Sequence, residues 1–235
     1  MIPLRDANPT RRTPYVTIAI IVACFLVFAY ELYLQASGGD GGFEAFLTEH
    51  GLVPARLTDD IARGALDWVV LATVLTSMFL HGSVLHLLGN MLYLWIFGNN
   101  IEDRLGRPGF VLFYLAGGLA AVLAQVAIDP RSQQPLIGAS GAIAAVLGAY
   151  LVLYPGARIL SLVFLGFFYQ LIPVPALVVL GFWFVLQIID GFTSLGGPSA
   201  NAGGVAFFAH IGGFALGLVV GVLIRLRRQP RYGVG

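Results

Sequence analysis

Long apolar runs, more than any single residue, limit how this chain can fold. A helix needs about 20 apolar residues to cross the hydrocarbon core of a bilayer, which is about 30 Å thick. Runs of that kind fill most of the sequence, since 58% of its 235 residues are hydrophobic and only 11% are charged. A water-soluble domain of this length would need a much larger charged surface. The sequence therefore predicts a single all-α polytopic membrane protein.

Six of the runs are predicted to cross the bilayer. The first is expected to be an uncleaved anchor, because it is longer than the roughly 7–15 apolar residues of a signal-peptide core. Cleavage after Ala36 is the alternative. Residues 38–67 are Gly-rich and acidic, which favours a solvated loop, and residues 68–80 are too short to cross, so they are expected to insert only partly. The predicted spans are residues 14–36, 84–101, 110–128, 139–154, 159–189 and 205–224.

The distribution of arginine predicts the orientation, because Lys and Arg concentrate in cytoplasmic loops. Residues 159–189 could form one long span or a tight pair. If they form one span, ten of the 13 basic residues lie on the same side of the membrane. Both termini are then cytoplasmic in the plasma or inner membrane of the cell. The predicted domain covers residues 14–227, with an external loop at 38–82 and cytoplasmic tails at 1–13 and 228–235.

The remaining composition excludes several other classes of protein. Cys24 is the single cysteine, so one chain can build neither a disulfide framework nor a thiolate metal cluster. The net charge is +1, and the densest basic run directly follows an apolar stretch, as expected beside a membrane. Binding to nucleic acid therefore has no support in the sequence.

Four polar side chains stand out inside the predicted spans, where lipid makes ionisable and hydrogen-bonding groups costly. His86 and Asn90 fall early in the second span, Ser140 opens the fourth, and His210 lies near the start of the sixth. At about 1.5 Å per residue, His210 lies about 9 Å below the outer end of its helix. The other three lie at a similar or shallower depth. The four side chains are therefore candidates for a single site in the outer half of the membrane.

Residue spacing adds direction to this agreement in depth. His86 and Asn90 are one helical turn apart and can point at one target. Small residues at intervals of four let two membrane helices approach closely, which would bring Ser140 within hydrogen-bond reach of His210 and activate its hydroxyl. Taken singly, each polar residue is at least as well explained by helix packing. It is the depth shared by all four that favours a functional site. The small residues are Ala144 and Gly148 after Ser140, and Gly213, Gly217 and Gly221 after His210.

Three short motifs carry a family resemblance. Residues 81–90 read HGSVLHLLGN, residues 138–141 read GASG, and residues 209–213 read AHIGG. Together, and in this order, they resemble the signatures of bacterial rhomboid proteases. The resemblance implies a bundle of six transmembrane helices that cleaves peptide bonds in or next to transmembrane segments of other membrane proteins. Its expected partners are those substrates and the lipid bilayer, and it implies no metal or organic cofactor.

The resemblance also implies a role for each residue of the candidate site. Ser140 matches the nucleophile and His210 the general base of a Ser–His dyad that has no acidic third member. His86 and Asn90 match side-chain donors of the oxyanion hole, beside the backbone N–H of Ser140. One departure concerns the base, because the family usually carries Tyr or Phe four residues after the nucleophile, where the ring packs against the histidine. This sequence has Ala144 at that position.

Two alternatives and one further expectation accompany this interpretation. The first alternative is a proteolytically silent protein of the same fold that binds membrane client helices. The second is a metal-dependent enzyme or transporter that uses His81, His86 and His210 as ligands; against it, the spans are expected to hold no carboxylate.

Pro173 and Pro175 interrupt the fifth predicted span, which is therefore expected to act as a lateral gate for substrate.

Overall fold

A computed structural model describes residues 1–65, 67–166, 168–195 and 206–227. The described chain is mostly helical and contains one three-stranded sheet. The strands are β1 (Ile2–Asp6), β2 (Arg158–Leu165) and β3 (Phe168–Pro175). The helices are α1 (Tyr15–His50), α2 (Pro54–Arg63), α3 (Trp68–Thr76), α4 (Val84–Tyr93), α5 (Asn99–Ile128), α6 (Ser140–Leu153), α7 (Ala176–Ser194) and α8 (Phe207–Leu226). A 3-10 turn (Ser77–Phe79) follows α3, and a π-helical turn (Leu94–Gly98) joins α4 to α5.

Four helical segments within the described ranges are long and apolar enough to cross a membrane, so the chain is a multi-pass membrane protein. Two shorter apolar helices, Trp68–Phe79 and Ser140–Leu153, lie between them in the sequence. The predicted span at residues 205–224 corresponds to α8, although residue 205 and the predicted tail at 228–235 lie outside the described residues. The four long segments are Tyr15–Gly39, Val84–Ile128, Ala176–Ser194 and Phe207–Leu226.

The segment Val84–Ile128 contains the second and third predicted spans, and both are helical. A straight helix of 45 residues would be about 67 Å long, more than twice the thickness of the hydrocarbon core. The helix breaks at Gly106, whose φ of 72° and ψ of 162° are not helical. Glycine adopts this backbone conformation without a steric penalty, so the chain changes direction here while hydrogen bonding continues on both sides.

The predicted solvated loop at residues 38–67 is wrong, because most of it is helical. Helix α1 kinks at Gly39, where φ is 65° and ψ is −169°, and then continues to His50. Helix α2 starts with Pro54 in its first turn and stops at Gly64, which is in the left-handed conformation. Glu44, Glu49 and Asp59 are exposed on these helices, whereas Asp60 is buried. Exposed acidic side chains on one face do not prevent helix formation.

The fifth predicted span is wrong over residues 159–175, although the mainly helical, multi-pass membrane fold is confirmed. These residues form the β2–β3 hairpin, and β1 pairs with β2 in an antiparallel sheet of order β1-β2-β3. Pro173 and Pro175 lack an N–H and are tolerated in β3 because it is an edge strand. They lie in a strand, so they cannot interrupt a gating helix as expected. Helix α7, which covers the rest of this predicted span, begins only at Ala176.

Buried polar side chains connect the N-terminal residues to the helices. Glu102 accepts hydrogen bonds from the backbone N–H groups of Val16 and Thr17 at 3.0 and 2.8 Å, which satisfies free donors at the start of α1. Tyr150 donates to Asp6 at 2.9 Å, and Asn100 donates to the same oxygen at 2.7 Å. Burial raises the pKa of Asp6, and these two hydrogen bonds oppose the rise.

Helix α6 is the centre of the bundle, because every residue from Gly141 to Tyr150 is buried. Its closest neighbour is α8. A Cβ atom added to Gly213 would collide with the carbonyl oxygen of Gly141, and one added to Gly217 would collide with that of Ala145. The predicted close approach of these two helices through small residues is therefore confirmed.

The contact at Gly217 generates a prediction about stability. Gly217→Ala should lower the free energy of unfolding by about 1–3 kcal/mol, because the added methyl group forces two backbones apart. The matched control is Gly181→Ala in α7, where no heavy atom lies within 4 Å of the added Cβ and alanine favours the helix. Thermal melting of the purified variants in detergent measures both effects. Equal melting temperatures for the two variants would contradict the prediction.

Candidate active site

Ser140 is the first residue of α6, and the backbone before it is fixed by a glycine. Gly138 has a φ of 118°, and a Cβ atom at this position would lie 2.7 Å from Nε2 of His86 and 3.6 Å from Oγ of Ser140. Its N–H donates to the carbonyl of Ser77 at 2.8 Å. Only glycine combines this backbone conformation with so close a contact to the imidazole. Ser140 therefore begins the helix directly beside His86, where the first N–H groups of α6 have no intrahelical partner.

His210 lies in the first turn of α8 and contacts Ser140 directly. The distance between Nε2 of His210 and Oγ of Ser140 is 2.8 Å, across 70 residues of sequence. The N–H of the preceding residue, Ala209, donates to Oε1 of Gln125 on α5 at 3.2 Å. The glycine contacts between α6 and α8 allow the two side chains to meet, and Gln125 holds the start of α8.

The other face of the His210 imidazole contacts α7. Its Nδ1 atom lies 2.6 Å from Oε1 of Gln187. The rings of Trp183 and His210 lie 5.8 Å apart between centroids at an angle of 38°. Ala144, where an aromatic ring was expected, is fully buried beside Gly213. The aromatic neighbour of His210 is therefore Trp183, from a different helix.

The sequence interpretation missed both α7 residues. Trp183 and Gln187 are one helical turn apart and share a face of α7. The polarity of Gln187 inside an apolar helix is the same signal that identified Asn90. The predicted fifth span, residues 159–189, contains both residues, but its first half is the hairpin. The sequence alone therefore does not show that they share a face of α7 beside His210.

His86 and Asn90 lie on α4 and face the same region. The N–H of His86 donates to Oγ of Ser83 at 3.2 Å, so this serine caps the start of α4. Asn90 is 8% exposed, and its Nδ2 atom has no hydrogen-bond partner among the described residues. A buried amide donor without a protein partner is costly unless it serves a ligand or a transition state.

An open cavity of about 670 Å³ joins these residues. All four residues predicted from the sequence line it, so the structure brings them together around one space. The same cavity contacts Trp183 and several apolar side chains, which gives a mostly apolar wall with few polar groups, as is typical of a ligand site. The apolar side chains include Leu85, Ile137, Ile143 and Leu147.

His81 lies outside this cavity lining, and its environment is structural. It is fully buried, its N–H donates to the carboxylate of Glu31 at 3.2 Å, and its Nδ1 lies 3.1 Å from the carbonyl oxygen of Phe79. Glu31 is also fully buried and lies within the first long apolar helix, so the expectation that the spans hold no carboxylate is wrong. Even so, no group of three His, Cys, Asp or Glu side chains among the described residues could hold a metal ion.

Comparisons with known proteins agree on one family. Residues 70–227 match the sequence model of the Rhomboid domain, and all four candidate residues lie inside this region. The chain is 34% identical over 153 residues to Rhomboid protein 1, mitochondrial, of Saccharomyces cerevisiae, covering 63% of this chain and 40% of the relative. It is 32% identical over 183 residues to Rhomboid protease GluP of Bacillus subtilis, covering 78% of this chain and 32% of the relative.

A plant relative shows the same level of similarity. The chain is 30% identical over 178 residues to RHOMBOID-like protein 12, mitochondrial, of Arabidopsis thaliana, covering 67% of this chain and 48% of the relative. The alignments therefore span less than half the length of each of these three relatives. The region that matches the family model, residues 70–227, contains every residue that lines the cavity.

Proposed function

Because this chain belongs to the rhomboid family, we propose that it is an intramembrane serine endopeptidase. Its substrates are other membrane proteins, which it cleaves in or next to their transmembrane segments. The observation that carries the proposal is the 2.8 Å contact between Oγ of Ser140 and Nε2 of His210 at the wall of a cavity. A serine hydroxyl paired with an imidazole at this distance has the geometry of an activated nucleophile.

In the proposed reaction, neutral His210 accepts the hydroxyl proton of Ser140 as the serine oxygen attacks the substrate carbonyl carbon. The same imidazole, now protonated, donates that proton to the leaving amine, and the peptide bond breaks to give an acyl-enzyme. Water then attacks the acyl-enzyme with His210 again acting as base, and the ester bond breaks to release the new carboxyl terminus while the imidazolium returns its proton to the Ser140 oxygen. The open cavity supports this step because it lets water reach the serine.

The negative charge that develops on the carbonyl oxygen needs donors that are already in place. His86 lies beside the backbone at Gly138, two residues before Ser140. Asn90 carries a buried donor without a protein partner on the same cavity wall. We assign both side chains, with the N–H of Ser140, to the oxyanion hole.

The proposed topology has six spans with both termini in the cytoplasm of a cell membrane. Helix α6 has 14 residues and is about 21 Å long, shorter than the hydrocarbon core of about 30 Å. If α6 ends near the cytoplasmic face, Ser140 lies below the outer surface, at a depth that a cavity can hydrate. Arg104 and Arg107 flank the break at Gly106 and fit the cytoplasmic side. The spans are Tyr15–Gly39, the two parts of Val84–Ile128, Ser140–Leu153, Ala176–Ser194 and Phe207–Leu226.

The first test concerns the type of reaction. Cleavage of a membrane-anchored test substrate, and labelling by a serine-directed fluorophosphonate, should both be lost in Ser140→Ala and His210→Ala. Cleavage should persist in a metal chelator, because the dyad supplies nucleophile and base. Ser194→Ala and His50→Ala are the matched controls, since neither residue lines the cavity, and both should retain activity. Capture of the substrate without any cleavage by the wild type would instead support a proteolytically silent client-binding protein.

The second test separates an oxyanion donor from a packing residue. Asn90→Ala should lower kcat by about 10²–10³-fold with little change in KM, because the lost hydrogen bond acts mainly in the transition state. Asn100→Ala is the matched control. Asn100 is also buried but bonds to Asp6, Asn8 and Asn99, so its loss should reduce the melting temperature and leave kcat within a few-fold. Near-normal kcat in Asn90→Ala with a lowered melting temperature would show that Asn90 is structural.

The third test concerns orientation. A cysteine placed at Gly41 should react with an impermeant thiol reagent added to intact cells, whereas a cysteine at Pro108 should react only after permeabilisation. Both positions are exposed. In the proposed topology they lie on opposite sides of the membrane. Native Cys24 is fully buried and should give no background. Labelling at Pro108 alone in intact cells would reverse the orientation.

A further inference from the structure

Gln187 forms a short contact with the imidazole that the dyad depends on. We propose that Gln187 is the positioning residue of the base: its side-chain oxygen accepts the Nδ1 proton of His210 and so leaves Nε2 free to take the proton of Ser140. This inference rests on the proposed function of the dyad. It adds a third, uncharged member to a site whose family resemblance implied only two.

The first step of the argument is chemical. A neutral imidazole carries one proton, on Nδ1 or on Nε2. His210 can act as a base toward Ser140 only if Nε2 is unprotonated, because that nitrogen lies 2.8 Å from the serine oxygen. The proton must then reside on Nδ1, and the hydrogen bond made at Nδ1 decides which tautomer is populated.

The second step is geometric. Oε1 of Gln187 lies 2.6 Å from Nδ1 of His210, slightly shorter than the usual range of about 2.7–3.2 Å for an N–H···O hydrogen bond. The amide oxygen can only accept a proton, so this arrangement favours the productive tautomer. The reverse arrangement, with the amide nitrogen toward Nδ1, would place the imidazole proton on Nε2 and block the transfer from Ser140.

The third step concerns how Gln187 is held in place. One turn earlier on α7, the Trp183 ring packs against both His210 and Phe214, with centroid distances of 5.8 and 6.0 Å. Its neighbour Phe184 stacks on Phe214 at 4.1 Å. These ring contacts fix the face of α7 against the first two turns of α8. The amide of Gln187 therefore meets the imidazole in a geometry that exists before substrate binds.

The fourth step explains why the residue is glutamine. A carboxylate would orient the imidazole equally well and would also stabilise its protonated form. Within an apolar helix, however, an ionised group is far more costly to bury than a neutral amide. Gln187 supplies the acceptor without that cost. Besides His210, the titratable side chains that line the cavity are His86 and Tyr93. Both belong to α4, not to the helix that carries Gln187.

The experiment replaces Gln187 in the full-length protein in detergent or nanodiscs. Gln187→Met keeps the size of the side chain and removes the acceptor, and Gln187→Glu keeps an acceptor and removes the donor. We expect kcat for a membrane-anchored substrate to fall about tenfold in Gln187→Met, with KM unchanged within about twofold, as for one lost hydrogen bond. Gln187→Glu should recover most of the lost kcat. Gln170→Met on exposed β3 is the matched control and should match wild type.

A second measurement reports the tautomer without relying on catalysis. In ¹⁵N-histidine spectra, with the His210 signals assigned by their absence in His210→Ala, the wild type should show the proton on Nδ1. Gln187→Met should shift the population toward the Nε2-protonated form. Wild-type His210 protonated on Nε2, or a Gln187→Glu variant as slow as Gln187→Met, would overturn the inference.

The two measurements also separate the failure of this inference from the failure of the proposed function. If cleavage requires Ser140 and His210 but Gln187→Met retains wild-type kcat and tautomer, the protease assignment stands and the inference is wrong. If the wild type cleaves nothing, the proposed function fails, and the spectra still decide whether Gln187 sets the His210 tautomer.

Discussion

The contact between the backbones of α6 and α8 is the feature on which the site depends. Ser140 and His210 are 70 residues apart in sequence, and neither side chain is long. They meet only because Gly213 and Gly217 let the α8 backbone approach the carbonyl oxygens of Gly141 and Ala145. Apolar side chains cannot drive such an approach in lipid, where van der Waals packing between small residues takes over that role. The same glycines that stabilise the bundle thus set the distance within the dyad.

Much of this site could be predicted from the sequence because its residues violate a simple rule. Polar side chains are rare inside apolar helices, so His86, Asn90, Ser140 and His210 stood out without any knowledge of the fold. The spacing of glycines after His210 then predicted which helices meet. The polar residues and the glycine spacing can both be read from short stretches of sequence. The first is a strong signal because burying a polar group in lipid costs free energy.

The segments whose secondary structure was predicted wrongly carry no such direct signal in the sequence. A short apolar run reads the same whether it becomes a strand or part of a helix, so residues 159–175 were assigned to a span. What identifies them as a sheet is their pairing with Ile2–Asp6, a contact between distant residues that no local pattern reports. Residues 38–67 failed for a related reason: their acidic groups indicated exposure to water, which an amphipathic surface helix such as α2 also provides. Glu31, inside the first predicted span, carries the same local signal as Asn90; what the sequence does not report is its partner, the N–H of His81.

The support of His210 shows how a departure from a family pattern can be compensated. With Ala144 in place of an aromatic residue, α6 can no longer hold the imidazole by ring packing. Trp183 supplies the ring contact and Gln187 the hydrogen bond, and both come from α7. The His210 imidazole, the proposed base, therefore lies between two helices, with Nε2 contacting Ser140 of α6 and Nδ1 contacting Gln187 of α7. A movement of α7 away from α8 would remove the ring contact and the acceptor together, so the geometry of the dyad depends on a helix that contributes neither of its two reacting groups.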